Sequence, residues 1–147
     1  MAAATIGRLD LELEGERIIN TILRDRGQYS LATRQAEDLV KRAIYANVSQ
    51  LIICGCYRSL ARSLALEASD SALIAARSAL SIAETEGSVR AKGGSYLAIA
   101  EACRHTGKLD EAEDNYHKAI EIGELLSNRD LILWASLGLA DSFTLRL

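Results

Sequence analysis

Residues 96–120, YLAIAEACRHTGKLDEAEDNYHKAI, decide the fold, because they contain two helical patterns with a turn between them. After the turn, Ala112, Tyr116 and Ala119 recur at intervals of four and three residues, which places them on one face of a helix. Gly107 lies between the two patterns, where helices commonly end with a residue in the left-handed conformation. The stretch therefore predicts two antiparallel helices joined by a tight turn.

The second helix of this hairpin recurs along the chain at a fixed period. Ala32, Ala72 and Ala112 form one column of the repeat, and the columns four, seven and eight residues later are small, apolar or aromatic in every copy. The first helix recurs at slightly unequal intervals, and its matched positions are Ile19, Leu60, Ile99 and Leu137. A period of about 40 residues is typical of helical repeat proteins, in which each hairpin buries its apolar face against the next.

The pattern predicts an all-α chain of about seven helices, arranged as stacked antiparallel hairpins. Proline, the strongest helix breaker, is absent. The length of 147 residues suits one domain, residues 1–147, with repeats at about 9–46, 49–86 and 90–126 and an unpaired last helix at 129–145. The expected helices are 9–25, 29–46, 49–67, 70–86, 90–106, 110–126 and 129–145.

The composition limits where the chain works and what it binds. A net charge of −3 and a pI of about 5.4 argue against a general nucleic-acid binder. The chain has no run of 18 apolar residues and no signal-peptide pattern, so we expect no membrane span. Cys54, Cys56 and Cys103 lack the spacing of a disulfide framework, which indicates free thiols and a cytoplasmic protein.

The hairpin resembles the tetratricopeptide repeat. The family signature is matched at Tyr96, Ile99, Ala100, Cys103, Gly107, Leu109, Ala112, Tyr116, Ala119 and Ile120. The period of about 40 residues exceeds the family standard of roughly 34, as it does in the subclass of kinesin light chains and bacterial regulators. The resemblance implies a right-handed superhelix whose first helices line a concave groove that binds proteins. HEAT and armadillo repeats have similar periods, but the Gly-Lys-Leu-Asp-Glu-Ala-Glu turn favours the tetratricopeptide interpretation.

The resemblance also implies which residues line the groove. The family's groove columns include, repeat by repeat, Arg17, Arg24, Arg58, Arg62, Glu101, Arg104 and His105. The planar guanidinium suits a carboxylate or phosphate, so we expect the groove to bind a protein or peptide segment, in particular an acidic one. The alternative is that each arginine pairs with a neighbouring carboxylate such as Glu14, Asp25 or Glu101.

No motif predicts catalysis, a cofactor or a metal site. Cys54 and Cys56 are two residues apart, so on a helix they point about 200° apart and cannot share a metal ion. His105 and His117 have no cysteine or carboxylate at zinc-like spacing, and the glycine-rich nucleotide-binding motifs are absent. We therefore expect a non-catalytic protein without a cofactor.

The last predicted helix, 129–145, is apolar on nearly every side, although the terminal repeat of a solenoid usually presents a polar outer face. Three explanations stay open: the chain is part of a longer protein, the helix pairs with a second copy, or it docks back on its own stack. The candidate residues for self-association are Leu133, Trp134, Leu137 and Phe143. The chain is then either an interaction scaffold or the sensory or oligomerisation part of a larger regulator, such as a transcription factor or signalling ATPase.

Overall fold

The computed structural model describes the backbone of residues 3–147 and the side chains of residues 7–147, so Met1 and Ala2 of the predicted domain lie outside the described residues. Within that range the chain forms seven α-helices and no strand, which confirms the all-helical prediction. The first helix begins six residues earlier than predicted, and the other boundaries agree within one residue. The helices are α1 (Ala3–Asp25), α2 (Tyr29–Tyr45), α3 (Gln50–Leu66), α4 (Ser71–Thr85), α5 (Val89–His105), α6 (Leu109–Leu125) and α7 (Arg129–Leu145).

Each of the first six helices ends in the same kind of turn. One residue with positive φ follows the helix, and the N–H of the next residue donates to the carbonyl five residues earlier, at 2.8–3.3 Å. This turn satisfies carbonyl groups that the helix end leaves free, and it reverses the chain within a short connection. The left-handed turn predicted at Gly107 is confirmed. The six residues with positive φ are Gly27, Asn47, Ala68, Gly87, Gly107 and Ser127.

The hairpins stack in chain order, and the two helices of each hairpin lie in different layers. The backbones of α1, α3, α5 and α7 lie against one another in sequence, whereas those of α2, α4 and α6 do not meet in the described part of the chain. An exposed ion pair between Arg77 and Glu111, 3.1 Å long, spans the wider gap between α4 and α6. Because the odd-numbered layer is the more closely spaced, the stack curves toward it.

Small residues allow the helices to approach closely. Ala32, Ala72 and Ala112, the first column of the repeat, are all fully buried. Tyr116 has the largest fully buried side chain, and its ring lies against Gly138 of α7. A Cβ atom on Gly138 would overlap that ring, so the contact between α6 and α7 requires glycine at this position. None of the described helices is long and apolar enough to cross a bilayer.

The structure corrects the register of the last helix. Ser88 and Asn128 cap α5 and α7 in the same way, since each side chain accepts the backbone N–H three residues later. The two caps mark equivalent positions of successive hairpins, so Leu137 corresponds to Leu97 in α5. The sequence match of Leu137 to Ile99 is therefore wrong by two positions. The correction changes which residues of α7 face the concave side.

Candidate functional site

The concave groove is the surface formed by α1, α3, α5 and α7, and it contains three connected recesses. The central recess, here called the arginine pocket, has a volume of about 190 Å³ and lies between Arg17, Arg24, Arg58 and Arg62. A wider recess of about 560 Å³ adjoins it toward the first turns of α3, α5 and α7. A narrow recess of about 170 Å³ adjoins it toward the last turns of α1, α3 and α5. All seven groove residues expected from the sequence line at least one of these recesses.

Two of the four pocket arginines carry ion pairs. Nη1 of Arg17 donates to both carboxylate oxygens of Glu14, at 2.8 Å each. Arg62 reaches across from α3 to α5 and donates to Glu101, from Nε to Oε2 at 2.8 Å and from Nη2 to Oε1 at 3.3 Å. The attraction of Glu101 raises the pKa of Arg62. Glu101 is thus engaged within the groove, and it neutralises Arg62.

Arg24 is buried in the arginine pocket without a carboxylate partner among the described residues. Its exposed fraction is 8%, its one hydrogen bond runs from Nη2 to the Thr21 hydroxyl at 3.0 Å, and its Nε atom is buried with no partner. Burial lowers the pKa of Arg24 to about 10, and the charges of Arg62 and Arg17 contribute, against a partial offset from nearby carboxylates. A buried cation that lacks an ion pair is unfavourable for the folded chain.

Arg58 has even fewer polar partners than Arg24. In the described part of the chain its guanidinium makes neither a hydrogen bond nor an ion pair, and its Nε atom is buried. Burial lowers the pKa of Arg58, and the positive charge of Arg17 lowers it further. Gly94 of α5 provides the space for this side chain, because a Cβ atom there would overlap the guanidinium.

In two successive repeats, a glycine leaves room for the guanidinium of an arginine on the preceding odd-numbered helix. The guanidinium of Arg17 lies against Gly55 of α3, and that of Arg58 lies against Gly94 of α5. Between α5 and α7 this pairing is absent. By the corrected register, Trp134 of α7 occupies the glycine position and Leu97 of α5 occupies the arginine position. The groove is therefore basic along α1, α3 and the facing part of α5, whereas at α7 the wide recess is lined by Trp134 and Leu131 together with Asn128 and Asp130.

The narrow recess contains a hydrogen-bonded group centred on Arg104. Its Nε donates to the buried Tyr116 hydroxyl at 2.9 Å, its Nη1 lies 3.9 Å from the Asp141 carboxylate, and its Nη2 lies 3.3 Å from Nε2 of His105. Burial, together with Arg104, lowers the pKa of His105, so its ring is neutral at pH 7. Burial raises the pKa of Tyr116 to about 12. Arg104 is thus occupied by protein groups, unlike Arg24 and Arg58.

The self-association candidates on α7 are about half exposed. The exposed fractions are 53% for Leu133, 52% for Trp134, 49% for Leu137 and 51% for Phe143, so α7 does not dock back on the stack to cover them. Trp134 lines the wide recess and belongs to the groove, which the sequence match missed because its register was two residues off. The other three correspond to Gly93, Leu97 and Cys103 of α5, positions that are buried there.

The cysteines belong to the core. All three are free and fully buried, and the Cys54 thiol donates to the Ala79 carbonyl at 3.2 Å. Burial raises the pKa of Cys56 and of Cys103 to about 11, which disfavours the reactive thiolate. Over residues 7–147, no three metal-ligating side chains gather closely enough to hold a metal ion. These three side chains therefore pack in the core.

Comparisons with protein-family models, with curated proteins and with solved structures found no match. The function of the chain is therefore inferred from the residues of the groove and of α7. The tetratricopeptide resemblance remains an expectation that rests on the motif in residues 96–120.

Proposed function

We propose that this chain is a non-catalytic module that binds an acidic segment of a protein partner in its concave groove. The observation that carries the proposal is the charge of the arginine pocket. Four arginines line it, and the carboxylates of Glu14 and Glu101 neutralise two of them. Arg24 and Arg58 have no carboxylate partner in the described part of the chain and line the same recess as Arg17 and Arg62, which repel them, so a bound acidic group would relieve this repulsion as well as gain hydrogen bonds.

The extent of the groove supports a chain segment as the ligand. The three recesses adjoin one another, and they run across four helices that differ in chemistry. The basic part would hold acidic side chains, and Trp134 with Leu51 and Leu97 in the wide recess would hold an apolar one. Aromatic and arginine side chains are the residue types that dominate binding energy at protein interfaces. The net charge of −3 for the whole chain favours a protein ligand over nucleic acid.

The same proposal covers family and location. We infer a tetratricopeptide-like repeat protein. The inference is supported by the Gly107 turn within its hairpin, by the equivalent turns at Gly27 and Ala68, and by the turns between hairpins at Asn47, Gly87 and Ser127. A cytoplasmic location is supported by three free, buried thiols. An enzymatic role has no support in the groove, whose polar side chains are mainly arginines and their paired carboxylates.

The test uses a fluorescently labelled decaglutamate peptide and fluorescence anisotropy at constant ionic strength. The double variant Arg24→Gln, Arg58→Gln removes the two unpaired charges while keeping long polar side chains. The matched control, Arg34→Gln, Arg77→Gln, removes two exposed arginines from α2 and α4. We expect at least tenfold weaker binding in the first variant and a change of less than twofold in the control. Equal affinity in the two variants would rule out the groove as the binding surface.

A second candidate function is self-association through α7, as in the oligomerisation part of a larger regulator. Leu133, Leu137 and Phe143 are half exposed at positions that are buried in α5, and α7 of a second copy offers the same apolar surface in return. We expect the mass of a dimer by light scattering at high micromolar concentration. The variant Leu133→Asp, Leu137→Asp should give the monomer mass. A monomer mass for the unchanged chain would refute self-association and leave the groove proposal intact.

A further inference from the structure

The arginine pocket has an excess of two positive charges at defined positions. The ion pairs of Arg17 with Glu14 and of Arg62 with Glu101 are internally neutral. Arg24 and Arg58 line the same recess and have no carboxylate within ion-pair distance in residues 7–147. A ligand that neutralises the pocket therefore has to bring two negative charges into one small space.

We propose that the arginine pocket binds a phosphoryl dianion, carried by a phosphorylated side chain of the acidic segment; this inference rests on the proposed function of the groove. A phosphorylated side chain has a charge of about −1.5 to −2 at pH 7 and three acceptor oxygens on one atom. A single carboxylate would neutralise one guanidinium and leave the other buried and unpaired. Arginine forks also form paired, charge-assisted hydrogen bonds with phosphate oxygens.

The pocket has the size and the donors that such a group needs. Its volume of about 190 Å³ is several times the roughly 30 Å³ that a water molecule occupies in the liquid, which leaves room for one phosphorus and its oxygens. Two hydroxyl groups, of Thr21 and Ser59, also line it, and that of Thr21 already donates to the Arg17 carbonyl at 3.3 Å. Ser59 is buried, and its oxygen accepts a 3.4 Å hydrogen bond from Nε of Arg17, so its own hydrogen can donate to an anion. The remaining wall is formed by Ile18, Leu97, Gly94 and Glu14, whose carboxylate is paired with Arg17.

The guanidinium of Arg58 is held in place before any ligand binds. It fills the space above Gly94, whose missing side chain allows it to lie against α5. Arg17 is held against Gly55 in the same way and stays paired with Glu14. A side chain that is already ordered loses little entropy on binding. The unpaired charges are therefore presented at fixed positions in the walls of the pocket.

The experiment measures binding of inorganic phosphate by calorimetry, with sodium chloride added to equal ionic strength in every sample. Besides Arg24→Gln, Arg58→Gln, it uses Gly94→Ala, which displaces only the flexible end of Arg58 and favours the helix. The control for the glycine change is Gly15→Ala, because a Cβ atom there meets nothing within 4 Å. We expect phosphate affinity to fall at least tenfold in the double variant and at least threefold in Gly94→Ala, with less than twofold change in Gly15→Ala and in Arg34→Gln, Arg77→Gln.

A second set of titrations identifies the source of the phosphoryl group. It compares the capped peptide Glu-Glu-phosphoserine-Glu-Glu with its unphosphorylated serine form and with pentaglutamate. Tenfold tighter binding of the phosphopeptide, competed by inorganic phosphate, supports a phosphorylated segment. Specific phosphate binding without any gain from the phosphopeptide keeps the dianion site, assigns it to a small phosphorylated molecule and overturns the segment as its source. Pentaglutamate binding as tight as phosphopeptide binding, without competition by phosphate, would overturn the inference and leave the acidic-segment function standing.

Discussion

Replacement of Arg24 by methionine should stabilise the chain when no ligand is present. A tenfold change in a protonation equilibrium corresponds to about 1.4 kcal/mol. The lowered pKa of Arg24, about 10, therefore places roughly 3 kcal/mol of unfavourable free energy on the charged, folded state. Because the folded pKa lies below the unfolded one, this cost is fully present at pH 7 and is relieved only as the pH rises through about 10.

Methionine keeps much of the buried stem and loses the charge. It also loses the hydrogen bond to Thr21, which contributes about 1 kcal/mol. The expected net gain in the free energy of unfolding is therefore about 2 kcal/mol, or about 4–8 °C in melting temperature for a chain of this size. The measurement is urea unfolding followed by circular dichroism at pH 7 in phosphate-free buffer, with the exposed Arg34→Met as the control.

The same variant tests whether the charge of Arg24 is unsatisfied in the folded chain or is needed by the fold. Phosphate at one hundred times its dissociation constant should stabilise the original chain by about 2.7 kcal/mol, whereas Arg24→Met, with tenfold weaker binding, should gain only about 1.4 kcal/mol at the same concentration. The stability difference between the two chains should then shrink from about 2 to less than about 1 kcal/mol. If Arg24→Met is destabilised by more than about 1 kcal/mol while Arg34→Met is neutral, the argument from unpaired charge is refuted.

Three further predictions address packing, thiol access and pH. Gly138→Ala should destabilise the chain by about 1–3 kcal/mol, since its Cβ overlaps the Tyr116 ring. Gly15→Ala should instead stabilise it by about 0.5–1 kcal/mol. Urea unfolding measures both free energies, and equal effects would contradict the packing argument. The three buried cysteines should react with a thiol reagent at pH 8 only as the chain unfolds, so rapid labelling of any one under native conditions would disprove their burial. The lowered pKa of His105 means that protonation costs more in the folded state, so the free energy of unfolding should fall as the pH drops below about 6.5. His105→Gln should reduce this fall, and urea unfolding at pH values on either side of 6.5 measures it.

Local sequence signals were sufficient to predict most of the helices. Apolar residues at helical spacing, together with short breaks in the pattern, placed six of the seven helices within one residue. The start of α1 was missed because residues 3–8 carry little apolar periodicity and no capping motif. The register of α7 was wrong because Leu137-Gly138 has the same local appearance as Ile99-Ala100. The equivalent caps at Ser88 and Asn128 distinguish the two alignments.

The arginine pocket was only partly predictable. The tetratricopeptide resemblance implied that Arg17, Arg24, Arg58 and Arg62 line one groove, and all four line the arginine pocket. Which arginines find a carboxylate depends on side-chain reach between helices, and the period does not determine this. The role of Gly94 was also invisible in the sequence, because the space that it leaves for the Arg58 guanidinium depends on how α3 packs against α5.

Two features of the chain work against its own stability, and both lie on the odd-numbered helices. Arg24 is buried and Arg58 is half-buried, both without a carboxylate partner in the described chain, and Leu133 with its neighbours on α7 leaves apolar area in water. Simple substitutions would suit the isolated fold better: an apolar side chain in place of each of the two arginines, and a polar side chain in place of each exposed leucine. Departures of this kind are expected where a protein meets a ligand. In the even-numbered layer the exposed arginines of α2 and α4 include two with ion pairs, Arg42 with Glu16 and Asp38, and Arg77 with Glu111. The unpaired arginines of α1 and α3 and the exposed apolar side chains of α7 therefore support the proposed binding at the concave side of the stack and at its last helix.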